Sequence, residues 1–289
     1  MRQLLTAALA LSLISGTALA ATPAEKGKES VKEKVHQLQM KKEALSFEQA
    51  LRAVAYTDKV IFLLEHGKKE EALKLLNEAQ KSLNEFLKLH PNLQLLPLDQ
   101  QIIVLGYNGD VKTAQEALKK VKELLQKGRV QDARLLLAQL VDEIDVVTTY
   151  LPVAMYNHIL ALAKQYVQEG KIQEAIQTLA LVRGSLIIDE VAIPIPFIKA
   201  QEFIKDAISV AKKDKKKAIE FVEAARKELQ LARVLGYAYD YQKAYEELEK
   251  ELEKVEKELK SGKESGSLLK KIEGEIHSLG QKARTERKK

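Results

Sequence analysis

The 289-residue sequence predicts an all-α protein: an irregular bundle of helical hairpins followed by a coiled-coil-like C-terminal extension. Three observations predict it. Apolar residues recur every third or fourth position along most of the chain, the spacing of one helix face. Gly (13) and Pro (6) are scarce, which disfavours sandwiches and barrels with their many turns. One turn template also recurs three times, at His66-Gly67-Lys68-Lys69-Glu70-Glu71-Ala72, Lys127-Gly128-Arg129-Val130-Gln131-Asp132-Ala133 and Glu169-Gly170-Lys171-Ile172-Gln173-Glu174-Ala175. In each, Gly is followed by a base, then by an acid four residues on and Ala five residues on. Gly67, Gly128 and Gly170 suit the left-handed conformation that ends a helix. The acid then lies in the first turn of the next helix, where the dipole favours it. The small Ala lets the two arms approach closely.

The elements follow in chain order. Residues 1–20 have the form of a signal peptide: Arg2, an apolar run from Leu4 to Leu19, and Ala18-Leu19-Ala20 as the cleavage pattern. Export to a bacterial periplasm is the expectation. No Cys follows the cleavage site, so no lipid anchor is expected there. Residues 21–45, dense in Lys, Glu and Gln, read as a polar leader, mobile or loosely helical. A helical domain follows over 46–240. Its first helix carries Phe47, Leu51, Val54, Val60, Ile61 and Leu64, and Gly67 stops it. The second carries Ala72, Leu75, Leu76, Ala79, Leu83, Phe86 and Leu87. Pro91 and Pro97 then bracket an irregular segment, because each removes a backbone donor and biases its predecessor away from helix. The state of the apolar run Ile102–Leu105 is left open.

Asp110 caps a third helix with Ala114, Ala117, Leu118, Val121 and Leu125. A fourth, with Ala133, Leu136, Leu137, Leu140, Ile144 and Val147, runs towards Pro152. A fifth carries Tyr156, Ile159, Leu160, Ala163 and Val167, and a sixth Ala175, Ile176, Leu179 and Leu186. Ile187-Ile188 and Val191–Ile195 are β-branched, and Pro194-x-Pro196 forbids helix through them, so an extended buried connector is expected. Helices resume over 197–211 and 218–235, closed by Gly236. The shared turn template also suggests tetratricopeptide-like stacking. The template glycines are spaced 61 and then 42 residues apart rather than a steady 34, which favours an irregular bundle.

Residues 241–289 form the extension. Tyr241, Tyr245, Leu248, Leu252, Val255 and Leu259 alternate at spacings of four and three, an a/d seam. Leu269, Ile272, Ile276 and Leu279 repeat the pattern after the turn at 261–267. The seam needs a partner. An incomplete hairpin with a contact between subunits is the reading, with Leu248, Leu252, Val255 and Leu259 as the candidate oligomer seam. The end of the chain, from Lys282 onward, is basic. It is expected to be a mobile, solvated tail that touches a membrane at most peripherally.

The middle of the chain resembles the YfdX family of exported bacterial proteins. The residues that carry the resemblance are Thr148-Thr149-Tyr150-Leu151-Pro152, Gly170-Lys171-Ile172-Gln173-Glu174-Ala175, Asp189…Ile193-Pro194-Ile195-Pro196 and Leu229-x-Leu231-Ala232-x-x-Leu235-Gly236-Tyr237. Together they span roughly 47–240. The resemblance implies an all-α exported protein that oligomerises, with no established catalytic activity and an association with acid and antibiotic stress. It offers no active-site motif to carry over, and the C-terminal extension departs from the family core.

Chemistry leaves few marks. With Cys absent, thiol catalysis, disulfides and Cys-based metal sites are excluded. The five His (His36, His66, His90, His158, His277) include no pair at helical ligand spacing, so no metal is expected. Glu70-Glu71 and Glu246-Glu247 are adjacent and point apart on a helix. Ser185 lacks a nucleophile-elbow context, and the isolated turn glycines do not form a phosphate loop. No enzyme activity and no cofactor are expected. A net charge of +6, from 47 basic and 41 acidic residues, is too mixed for a nucleic-acid footprint. Tyr237, Tyr239, Tyr241 and Tyr245 are four of nine Tyr in a chain without Trp, and they are the candidate ligand or interface residues. The expected function is a non-catalytic binding or scaffold protein in envelope stress. It would form a homo-oligomer and associate with client proteins or small amphipathic molecules. The alternatives are an acid-responsive oligomerisation switch and a tetratricopeptide-like adaptor.

Overall fold

The computed structural model describes residues 22–44 and 48–288. The predicted signal peptide and Phe47 lie outside the described residues. Helices dominate, as predicted, and a four-stranded antiparallel sheet of order β1-β2-β3-β4 ties them together. The elements are α1 (Pro23–Ala44), α2 (Glu48–Glu65), α3 (Lys69–Leu89), β1 (Leu95–Leu105), α4 (Val111–Gln126), α5 (Val130–Leu137), β2 (Glu143–Pro152), α6 (Val153–Gln168), α7 (Ile172–Gly184), β3 (Ile187–Pro194), α8 (Ile195–Val210), α9 (Lys215–Val234), α10 (Gln242–Lys260), α11 (Gly266–Lys282) and β4 (Thr285–Lys288).

The order is a repeat of helix, helix, strand. The hairpins α2–α3, α4–α5 and α6–α7 each deliver one strand, and α8–α11 deliver the fourth. Gly67, Gly128 and Gly170 sit at φ of 71°, 70° and 77°. At each turn the residue after Gly donates its N–H to the carbonyl five residues back: Lys68 to Leu63 (2.8 Å), Arg129 to Leu124 (2.9 Å) and Lys171 to Tyr166 (2.9 Å). This is the closing bond of a Schellman motif, which gives an otherwise orphaned helix carbonyl a donor. The template base meets its acid in the first two turns, at 3.3 Å for Lys68–Glu71 and 2.6 Å for Arg129–Asp132. In the third, Lys171 turns back to Glu169. The template Ala is fully buried at all three turns, and Ala218 repeats this in the fourth hairpin, where Asp214 caps α9. Asp110 caps α4 as expected, accepting from the Thr113 N–H at 2.8 Å.

Because adjacent strands run antiparallel, successive hairpins alternate between the two ends of the sheet. Leu95 of β1 lies opposite Pro152 of β2, so α2–α3 and α6–α7 share one end and pack as a four-helix unit. Its core holds Val60, Leu76, Leu83, Phe86, Tyr156, Leu160 and Leu179. At the other end α8, α9, α10 and α11 form a second unit around Phe203, Phe221, Leu229, Leu252 and Ile272. The sheet carries a third, smaller core of Ile144, Val146, Ile193 and Ile195, covered by Val31, Val35 and Leu38 of α1. The hairpins therefore do not stack as a solenoid.

Four local expectations change. The fourth predicted helix stops at Leu137, and residues 143–152 are strand β2. Ile144 and Val147 satisfy a helical spacing. The run Val146-Val147-Thr148-Thr149-Tyr150, however, is β-branched and aromatic, and it packs better on a pleated surface. The segment around Pro97 is part of β1, which tolerates the missing donor because β1 is an edge strand whose register shifts between Pro97 and Asp99. The leader is a full helix, whose sparse stripe at positions 31, 35 and 38 suffices to cover the sheet. The basic end forms β4, with Thr285 opposite Ala192 and Lys288 opposite Asp189. The extended connector is β3, as read, and Pro196 falls in the first turn of α8, where its missing N–H costs nothing.

Candidate functional site

The four tyrosines do not form one exposed surface: Tyr237, Tyr241 and Tyr245 pack on the C-terminal core and Tyr239 is exposed. Tyr245 is 1% exposed in the C-terminal core, with the Arg233 guanidinium 5.4 Å from its ring centre. Burial holds its hydroxyl protonated far above the usual phenol range. Tyr241 packs partly against the same core. Tyr239 is exposed in the short 3₁₀ turn Tyr239–Tyr241. Tyr237 also packs against that core, while its hydroxyl reaches the start of β2, and this is a site that sequence reading missed.

There the Tyr237 hydroxyl accepts from the Asp142 backbone N–H at 2.9 Å and donates to Glu143 Oε2 at 3.0 Å. The Asp142 carboxylate accepts from the Tyr107 backbone N–H at 3.2 Å. Lys199 on α8 stands 3.4 Å from Asp142 and 3.7 Å from Glu228 on α9. Asp142 and Glu143 are each 1% exposed. Two carboxylates, Asp142 and Glu228, thus share the Lys199 ammonium, and a third, Glu143, is held by the Tyr237 hydroxyl. Burial pushes the Asp142 carboxyl above its ordinary value, and the Lys199 charge only partly offsets it. Burial pushes Glu228 up to about 7. The cluster joins β2 to α8 and α9, so it fastens the sheet to the second helical unit. Adjacent acids in a mixed-charge sequence gave no signal of this convergence, because the fold brings Asp142, Lys199, Glu228 and Tyr237 together from four separate segments.

The predicted oligomer seam is satisfied inside the chain. Leu248, Leu252, Val255 and Leu259 are all buried, packed with α9 and α11 of the same molecule. The heptad pattern is real, but its partner is the folded-back α11 together with the hairpin before it. No apolar seam is left on α10 for another subunit.

Besides an apolar face between α2 and α7, where Phe62 stands exposed beside Ile176 and Ala180, two surfaces remain open. The first is the α4–α5 hairpin, which packs on the rest of the molecule chiefly through α9. Leu125, Val130, Leu135 and Leu137 are exposed, Leu135 to 67%. The second is a cleft of about 240 Å³ between α1, α8 and α11, walled by Ile193, Pro194, Phe197 and Ile276 and edged by Lys34, Gln281 and Arg284. Among the described residues no group of three His, Asp or Glu side chains is placed to hold a metal. No described helix is long and apolar enough to cross a membrane.

Fold and sites define the class first: a helical protein whose hairpins each deliver one strand to a small antiparallel sheet. Residues 53–192, from α2 into β3, match the family model described as YfdX protein. The first two segments that carried the resemblance lie inside the match, whereas Pro194-x-Pro196 and the Leu229–Tyr237 segment lie beyond it. A solved structure of Salmonella Typhi YfdX is similar at 17% identity with a TM-score of 0.35. The alignment covers 51% of this chain and 91% of that one. No curated protein matches.

Proposed function

We propose that the protein is an exported, non-catalytic binding or scaffold protein that works in envelope stress by associating with protein surfaces and small amphipathic molecules. The observation that carries this reading is the exposed apolar set on α4–α5. Large apolar side chains grouped on one loosely held hairpin mark an interaction surface. That hairpin, and not the C-terminal seam, is the surface proposed for self-association. Sedimentation velocity of the full chain, alone and with Leu125→Glu/Leu135→Glu, tests it. The expected result is association by the parent chain and a monomer for the variant, with unchanged helix content. A parent chain that stays monomeric at every accessible concentration and takes up no apolar probe contradicts the reading.

A second reading, an acid-responsive protein, is favoured by the carboxylate cluster at the start of β2. The groups facing Glu228 are Lys199 and Asp142, with Glu143 and Tyr237 beside them. Unfolded, Glu228 ionises near 4.5; folded, it keeps its proton to about 7. Its contribution to stability is therefore fully present below about 4.5 and is lost as pH rises towards 7. This one group thus favours the junction between sheet and second helical unit most in acid.

A further inference from the structure

We propose that the cleft between α1, α8 and α11 binds a small amphipathic carboxylate, its head held between Lys34 and Arg284 and its apolar body against Ile193, Pro194 and Phe197. The inference rests on the binding reading above and names the ligand class for one site.

The charges of the cleft are its unusual feature. Two other half-buried cations are ringed by acids: Lys199 has Asp142 and Glu228, and Arg226 has Glu249, Glu253 and Glu256. Lys34 and Arg284 are half-buried without an ion pair among the described residues. Arg284 Nε is shielded from solvent and has no hydrogen-bond partner. The two cations also oppose each other. Burial lowers the proton affinity of the Lys34 ammonium, and the like charges of Arg284 and Lys41 lower it further. Burial does the same to Arg284. The acids at the rim do not offset this: Glu202 engages Lys205 at 3.5 Å, and Glu33 is exposed.

Two desolvated cations facing one another are costly, and an anion between them turns both costs into charge-assisted hydrogen bonds. A guanidinium beside an ammonium suits a carboxylate, which accepts from both. The apolar part of the wall, which also includes Ile198 and Ile276, lies among polar Ser30, Gln37, Gln201 and His277, so an anion with a hydrocarbon or ring body covers apolar surface that a bare inorganic anion would leave wet. The volume has room for roughly eight water-sized groups, which limits the ligand to a short chain or a single ring. Arg284 and α11 lie beyond the family-matched region, as do Ile193, Pro194 and Phe197, so the cleft is built by α1, the end of β3, α8 and the C-terminal extension.

Isothermal titration calorimetry of the full chain at pH 7 and low salt, with octanoate, octylammonium and octanol as probes, tests this. Octanoate is expected to bind, octylammonium not to bind, and added salt to weaken octanoate. Lys34→Gln/Arg284→Gln is expected to weaken octanoate at least tenfold while self-association is unchanged. If the double variant loses helix content, the ring resonances of His277, which edges the same cleft, provide the readout in the unaltered chain. They should move with octanoate and not with octylammonium. Octanoate binding that ignores both substitutions, octylammonium binding equally well, or His277 resonances that stay still with bound octanoate overturns the site and leaves the general binding reading intact. No uptake of octanoate or octanol, together with a monomeric chain, overturns both.

Discussion

At the scale of single residues, the turn glycines and the buried carboxylates make the firmest claims. Gly170 is needed for its φ of 77° alone, since a Cβ there would meet nothing within 4 Å. Gly170→Ala should therefore lower unfolding stability by about 1 kcal/mol, the cost of a left-handed non-glycine residue. Gly274 lies inside α11 at an ordinary helical φ, also with open space at its Cβ. Gly274→Ala should raise stability by about 0.5–1 kcal/mol. Urea titrations of the two variants should move in opposite directions, and matching shifts would show that the turn geometry is wrong. Glu228→Gln removes a group that resists ionisation where it sits. Its side chain is 20% exposed, so after discounting for screening the gain at pH 8 should be about 1–2 kcal/mol. That gain should vanish near pH 4.5, where the glutamate is itself protonated in both states. A pH-independent effect in denaturant titrations would contradict the burial account of the cluster.

At the scale of elements, the C-terminal extension is where structure and sequence pattern diverge most usefully. A heptad stripe specifies that a helix needs an apolar partner, and it does not specify whose. Here α10 finds α9 and α11 within its own chain, so Leu252→Ala should act on stability and not on assembly. A fully buried Leu cut to Ala costs about 2–5 kcal/mol. Thermal unfolding should show that loss while sedimentation shows the parent's assembly state. A variant of parental stability that dissociates would return the seam to the subunit interface. The helices were legible for a simple reason: long amphipathic runs such as those at 69–89 and 242–260 repeat their spacing over several turns, and turn glycines punctuate them. The strands were less legible. In β2, Ile144 and Val147 fit both periods, and an eight-residue α5 ends without a Gly or Pro to mark the change. In β4, four polar residues read as a tail, because strand pairing with β3 supplies an order that composition does not announce. The leader helix α1 hid for the opposite reason, since three apolar residues are enough to cover a sheet this small.

At the scale of the whole molecule, alternation of hairpins across an antiparallel sheet explains both the stability and the openings. At one end α2–α3 and α6–α7 pack on each other, with Phe62, Met155 and Leu181 left exposed on their outer faces. At the other end α8–α9 is covered by α10–α11 and α1, and α4–α5 is left with its apolar side chains exposed. The cleft beside α11 arises where the added hairpin meets α1 over the sheet. Neither opening was visible in the sequence, because each is bounded by segments far apart in the chain. The four tyrosines that composition singled out divide instead between core, surface and the β2 junction. The turn template, by contrast, was fully legible, since the left-handed glycine, the acid in the first turn and the small Ala are all local requirements.

Native mass spectrometry of the full chain, purified without denaturation, tests the central claim most directly, because one spectrum reports self-association and retained small molecules together. The prediction is assemblies of more than one chain, or chains carrying a non-covalent organic acid that Lys34→Gln/Arg284→Gln releases. A spectrum containing only the bare monomer, unchanged when octanoate is added, would contradict it.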